Sequence, residues 1–109
     1  MPKGIMVVQS APSDPAREDE YNDWYSNTHL AEVCAVPGFV AARRYKVHGG
    51  PAGADPSAHP YVAVYEIDAD DLTDPVKELR ARSASGEMHM SDVLRLEPPP
   101  VITLLELIE

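Results

Sequence analysis

The chain has 109 residues and a formal charge of −9, from 18 acidic and 9 basic residues. This length predicts one domain, residues 1–109, with a single two-layer core and little room for a deep internal pocket. The charge argues against nucleic acid and against an anionic membrane surface, since both are bound through lysine and arginine. A ligand cavity is therefore expected more readily between two subunits than inside one.

The chain contains one cysteine, Cys34, which excludes an internal disulfide and a cysteine-based metal cluster. No lysine or arginine lies close to it in sequence, so we interpret it as a buried packing thiol. The apolar run 5–8 is too short for a signal sequence, and no stretch is long and apolar enough for a membrane span. A cytoplasmic protein is the expectation.

Strand-like and helix-like patterns divide the chain into six elements. Asp14 and Pro15 suit the N-cap and first position of a helix. Residues 48–60 are rich in glycine and proline and predict a loop, whose role as a lid is left open. In chain order the elements are a strand 4–9, a helix from Asp14 to before Pro37, strands 39–47 and 61–67, a helix 71–84 and a strand 101–108.

The apolar face of the first helix changes direction part of the way along. Tyr21, Tyr25 and Thr28 share one face at spacings of three and four, whereas Leu30 points to nearly the opposite side. This pattern predicts a kink or a break, with Thr28 capping a second short helical piece. His29 then lies at the junction.

The element order β-α-β-β-α-β is that of the ferredoxin-like fold. It predicts an α+β protein with a four-stranded antiparallel sheet and two helices on one face. The later strands carry apolar residues on both faces, as Phe39 and Val40 or Tyr61 and Val62 show. In a sheet with one solvent-exposed face, apolar and polar residues would alternate along each strand. We therefore predict that a second copy of the chain covers the other face in a homodimer.

The segments 22–33 (NDWYSNTHLAEV), 36–39 (VPGF) and 43–45 (RRY) resemble the dimeric α+β barrel superfamily, and most closely its EthD-like branch with a WYxxxHL…PGF…RRY pattern. The resemblance implies two sheets paired into a barrel, with a pocket inside the barrel or between sheet and helices. Members include cofactor-free monooxygenases, polyketide cyclases, muconolactone isomerase, haem proteins and stress proteins of unknown activity. The resemblance places the Tyr and His of such pockets at Tyr25 and His29.

His29 and Tyr25 are the candidate catalytic residues. Histidine takes and returns a proton near neutral pH, and Tyr25 lies four positions earlier on the helix. Such a pair suits deprotonation of a phenol, or of a C–H bond beside a carbonyl, with the tyrosine orienting the substrate. The alternative is that His29 caps the broken helix or donates to a backbone carbonyl.

Four further residues are candidate substrate contacts. Trp24 suits either the wall of an aromatic site or the core, and Tyr65 suits either a cavity or an aromatic dimer core. Arg44, if its face is covered, requires a carboxylate such as Glu66 or an anionic ligand. His89 lies in an irregular segment between two methionines. It suits a second proton-transfer group, a haem ligand or an exposed loop residue.

These residues together predict a cofactor-independent enzyme that acts by acid–base catalysis on an aromatic or polyketide-like carbonyl or phenolic substrate. Cyclisation, isomerisation, lyase chemistry and oxygenation all remain open. No metal or cofactor is expected, and the sequence has no GxGxxG, P-loop, GxSxG or HExxH motif. The alternatives are a non-catalytic ligand-binding or stress-response module and a haem-binding relative.

Overall fold

The computed structural model describes residues 3–48 and 59–108. Its four strands form one antiparallel sheet in the order β2-β3-β1-β4. Both helices pack on one side of this sheet, which confirms the predicted ferredoxin-like α+β fold. The predicted loop 48–60 lies largely outside the described residues. The strands are β1 (Lys3–Ser10), β2 (Phe39–Lys46), β3 (Tyr61–Asp68) and β4 (Val101–Glu106).

The first helix, residues 15–34, changes its hydrogen-bond pattern along its length. The side chain of Asp14 accepts a hydrogen bond from the backbone N–H of Ala16 (2.9 Å), as the Asp-Pro start predicts. Three acidic residues follow in the first α-helical turn, where the helix dipole favours them. The helix consists of a 3₁₀ turn (Pro15–Arg17), an α-helical segment (Glu18–Trp24), a π-helical turn (Tyr25–His29) and a second α-helical segment (Leu30–Cys34).

The π-helical turn accounts for the change of face between Thr28 and Leu30. The backbone N–H of Leu30 donates to the carbonyl of Tyr25, five residues earlier, so one extra residue is accommodated without ending the helix. The predicted break was therefore wrong. His29, not Thr28, precedes the second α-helical segment, and it does so in helical conformation with no side-chain cap.

The second helix (Thr73–Ser85) begins and ends with local side-chain and backbone signals. Asp71 accepts hydrogen bonds from the backbone N–H (2.9 Å) and the hydroxyl (2.7 Å) of Thr73. At the other end Gly86 takes the left-handed conformation with φ of 83°, which favours glycine. The helix therefore begins two residues later than the predicted start at Asp71 and ends one residue after the predicted end.

The strand register separates a covered face of the sheet from an open one. On the covered face Met6 lies opposite Tyr65 in β3 and Leu104 in β4. A bulge after Phe39 shifts the register of β2, so that Arg44 also lies on this face. The largest fully buried side chains of the core are Tyr21, Tyr25, Val33, Val36, Tyr65, Ile67 and Val93.

The open face of the sheet carries apolar side chains that the described part of the chain leaves uncovered. Tyr45 is 51% exposed and Leu105 is 45% exposed. Arg43, Glu66 and Thr103 add polar positions to the same face. The apolar members are Ile5, Val7, Tyr45, Val62, Val64, Val101 and Leu105.

Candidate functional site

A cavity of about 160 Å³ lies between the covered face of the sheet and the two helices. The segment 86–100 closes it, with Met88 and Met90 among its lining residues. The cavity thus forms within one chain, although the chain length suggested a site between subunits. The sheet contributes Met6, Val8 and Tyr65 to the lining, and the first helix contributes Tyr25, His29 and Val33.

The size and lining of the cavity define the ligands that fit. A cavity of about 150 Å³ in another protein binds benzene, so this one has room for a single aromatic ring or a short chain. Most of its lining is aliphatic or methionine side chain. Its few polar groups therefore decide where a ligand's polar atoms lie.

His29 enters the cavity wall from the π-helical turn. That turn stacks the His29 ring on Trp24, with centroids 4.8 Å apart and planes inclined by 23°. The Tyr25 and His29 rings form a T-shaped pair with centroids 5.0 Å apart. Trp24 itself does not line the cavity and packs against the His29 imidazole.

The imidazole of His29 is neutral at pH 7. Burial disfavours its charged form and lowers its pKa from 6.5 to about 4, although the nearby Glu32 carboxylate opposes this shift. Its Nδ1 is buried and makes no hydrogen bond within the described residues. The helix-cap and backbone-donor roles for Nδ1 therefore do not apply. A buried ring nitrogen without a partner is costly unless a ligand or water satisfies it.

Buried hydroxyl groups form a cluster beside His29. The Tyr65 hydroxyl donates to the Tyr25 oxygen at 3.3 Å, and the Tyr21 and Ser10 hydroxyls are hydrogen-bonded at 2.5 Å. Burial raises the pKa of all three tyrosines, so they stay protonated as donors. Ser10, which is 1% exposed, was missed by sequence reasoning. Its position after Met6 and Val8 in the strand alternation was the available signal.

Arg44 packs on the aromatic cluster and does not line the cavity. Its guanidinium lies 4.5 Å from the centroid of the Tyr25 ring. It donates to Ser26 Oγ and to Asn22 Oδ1, both at 2.9 Å. Glu66, the predicted carboxylate partner, is exposed on the open face of the sheet. Within the described residues, the partners of Arg44 are thus neutral groups and an aromatic ring, and Glu66 is not one of them.

His89 fastens the segment 86–100 to the first helix. The Glu32 carboxylate accepts hydrogen bonds from the His89 backbone N–H (2.9 Å) and contacts its ring Nδ1 (2.7 Å). Trp24 Nε1 donates to the His89 carbonyl at 2.8 Å. The His89 side chain is 85% exposed, so its ring points away from the cavity while Met88 and Met90 line it. The His89 side chain therefore contacts Glu32 and is not among the residues that line this cavity.

Cys34 is partly buried, less than predicted, and burial raises the pKa of its thiol. Within residues 3–48 and 59–108, no three His, Cys, Asp or Glu side chains are grouped so as to hold a metal ion. No helix in those ranges has the length and apolar character needed to cross a membrane.

Comparisons with known proteins establish the fold. No protein-family model and no curated protein matches the chain. An EthD-like protein from Ralstonia eutropha JMP134 has 17% sequence identity and a TM-score of 0.56, over 97% of this chain and 94% of that one. An EthD (ethyl tert-butyl ether D) family protein from Bacillus halodurans C-125 has 18% sequence identity and a TM-score of 0.49, over 100% of this chain and 99% of that one. The chain has an EthD-like α+β fold, as its sequence resemblance implied.

Proposed function

We propose that this protein is a cofactor-independent acid–base enzyme for a compact apolar substrate with a carbonyl or phenolic group. The observation that supports this proposal is that His29 and Tyr25 line the same apolar cavity. Burial keeps the pKa of His29 at about 4, so its ring is unprotonated at any higher pH and has a nitrogen lone pair available to a ligand. Burial raises the pKa of Tyr25, so its hydroxyl remains a donor. One cavity thus offers a proton acceptor and a hydrogen-bond donor.

The proposed step is a proton transfer from carbon to nitrogen. A ring nitrogen of His29 takes a proton from the carbon beside the carbonyl, and the electron pair of that C–H bond forms an enolate. The enolate oxygen accepts a hydrogen bond from Tyr25. Tyr65 already donates to the Tyr25 oxygen, which leaves the hydrogen of Tyr25 available for the ligand. Return of the proton to the same carbon gives hydrogen exchange, and in a β,γ-unsaturated substrate its return to the γ-carbon of the dienolate gives isomerisation.

The cavity volume narrows the substrate class. About 160 Å³ holds one ring but not the several fused rings of a polyketide. A porphyrin is also too large for it. We therefore propose single-ring or short-chain substrates, in preference to the polyketide-like or haem ligands considered from the sequence.

Exchange of carbon-bound hydrogen in D₂O tests the proposal without knowledge of the natural substrate. With acetophenone as probe, NMR should show methyl deuteration by the wild-type protein above the buffer rate. His29→Gln should lower this rate on the order of 100-fold, because it removes the base. His89→Gln is the control, because the His89 ring is exposed to solvent and contacts Glu32. This variant should catalyse deuteration at the wild-type rate. Equal exchange by His29→Gln and wild type would contradict the assignment.

A non-catalytic ligand-binding module is the second candidate. It is favoured by the weak basicity of His29 and by the pairing of Glu32 with His89, which leaves the imidazole without an orienting carboxylate among the described residues. This function predicts saturable binding of single-ring compounds with no deuterium exchange. Binding should then tolerate His29→Gln.

We also propose that the protein is a homodimer joined through the open face of the sheet. The apolar side chains of that face include Val64 on the interior strand β3 and Leu105 on β4. Burying such a face against a second copy removes apolar surface from water on both sheets. A twofold arrangement places the same patch on each side of the contact.

Replacing Val64 by lysine should weaken the dimer on the order of 100-fold, because each copy would bury an unpaired charge. Sedimentation equilibrium should give wild type about twice the 11.9 kDa chain mass and the variant a mass close to one chain. Leu96→Lys is the matched control, since Leu96 is apolar and 69% exposed but lies outside the sheet. A wild-type protein that is monomeric at micromolar concentration would refute the dimer.

A further inference from the structure

We propose that the ligand of this cavity is an anion, whose carboxylate is held by Arg80 at the cavity mouth while its apolar part lies inside. The inference rests on the proposed ligand site and names the chemical class that the site takes. It concerns a residue of the second helix that was not among the site residues predicted from the sequence.

Arg80 lies where two spaces meet. It lines the cavity that holds Tyr25 and His29, and it also lines a neighbouring groove of about 280 Å³ between the second helix and β4. Met6 and Ile102 likewise border both spaces, so the cavity and the groove are adjacent. A ligand that leaves the cavity on this side passes the Arg80 side chain.

The charge of Arg80 is uncompensated within the described part of the chain. Arg17 pairs with Glu20 at 2.8 Å, and Arg82, two positions after Arg80, pairs with Glu78 at 2.8 Å. Within residues 3–48 and 59–108, Arg80 makes no hydrogen bond or ion pair, although it borders an apolar cavity. Its guanidinium donors are therefore available to a ligand.

The surroundings of Arg80 add to its preference for an anion. Lys77 lines the same groove, three positions earlier on the helix, and Ser83 lines the cavity, three positions later. Two of the nine basic residues of a chain with charge −9 thus border this groove. Since the rest of the chain has seven basic residues against 18 acidic ones, this concentration of positive charge favours the mouth as the place for an anionic group.

The charged mouth and the apolar interior of the cavity together fit an amphiphilic acid. The aliphatic stem of an arginine lies along apolar surface while its head stays in water, which suits a position at the rim. A guanidinium binds a carboxylate through two parallel hydrogen bonds, which fixes the direction of the ligand as well as its charge. A carboxylate at Arg80 would direct the apolar part of the ligand toward Tyr25 and His29.

Calorimetric titration with phenylacetate and with its neutral isostere phenylacetamide tests the inference. Wild type should bind phenylacetate at least about tenfold more tightly, as one charge-assisted contact provides. Arg80→Gln should bring the two affinities together, and Lys77→Gln should retain most of the preference. Arg82→Gln is the matched control, because that arginine is already paired with Glu78, and it should retain the full preference.

Three results would overturn the inference: equal affinity of wild type for the two compounds, an unchanged preference in Arg80→Gln, or no binding of either compound. Circular dichroism of Arg80→Gln verifies that the variant is folded. The outcome is independent of catalysis, because the titration measures binding alone. A carboxylate preference without deuterium exchange would retain the anion site and exclude the acid–base enzyme, whereas exchange without the preference would do the reverse.

Discussion

The free energy of unfolding should fall by about 3 kcal/mol between pH 7 and pH 4 because of His29 alone. Burial lowers its pKa to about 4 in the folded chain, against 6.5 for an exposed ring. Between these two values the unfolded chain binds more protons than the folded one, so acid favours unfolding. The stability that depends on a neutral His29 is thus complete above pH 6.5 and is lost as the pH falls toward 4.

Urea unfolding at a series of pH values measures this effect. About 2 kcal/mol of the loss should occur between pH 7 and pH 5, above the range in which most carboxylates titrate. His29→Gln should remove this part of the slope, because glutamine does not titrate. His48→Gln should keep it, since His48 is exposed in the folded protein. A His29→Gln variant whose stability falls as steeply as that of wild type would show that the ring is not buried in its neutral form.

The fold was predictable because its signals are local. The alternation of buried and partly buried residues along Tyr61–Asp68 follows the period of two that the sequence shows. The Asp14 cap is likewise present as the Asp-Pro pair indicated. The change of face after Thr28 was also visible, but its cause was not. A break and an inserted residue rotate the following side chains in the same way, and only the continuous backbone hydrogen bonds distinguish them.

The site was less predictable, because contacts distant in sequence decide it. Tyr25 and His29 were chosen on one helix, and the structure places both in the cavity lining. The partner of Glu32 is His89, 57 residues later, and no local pattern indicates that pairing. The role of Arg80 depends on the gap between the second helix and the sheet, which only the packed structure shows.

Tyr65→Ala should lower the free energy of unfolding by about 3–5 kcal/mol, the cost of deleting a fully buried ring. Tyr65 is completely buried, its ring meets Phe39 edge-on at 6.0 Å, and its hydroxyl donates to Tyr25. Tyr65→Phe is the matched variant, since it keeps the ring and removes only the hydroxyl, at a cost of about 1 kcal/mol. Urea unfolding at pH 7 measures both.

The phenylalanine variant also separates the two roles of this residue. Without the Tyr65 hydroxyl, the Tyr25 oxygen loses its donor, and the hydrogen of Tyr25 is no longer directed toward the ligand. Deuterium exchange should then fall about tenfold while the affinity for the ligand changes little, as expected for an interaction made mainly in the transition state. If exchange and affinity fall together, Tyr65 shapes the cavity without orienting Tyr25. If Tyr65→Ala costs under about 1 kcal/mol, the ring is not part of the packed core, and the cavity it borders is not formed as described.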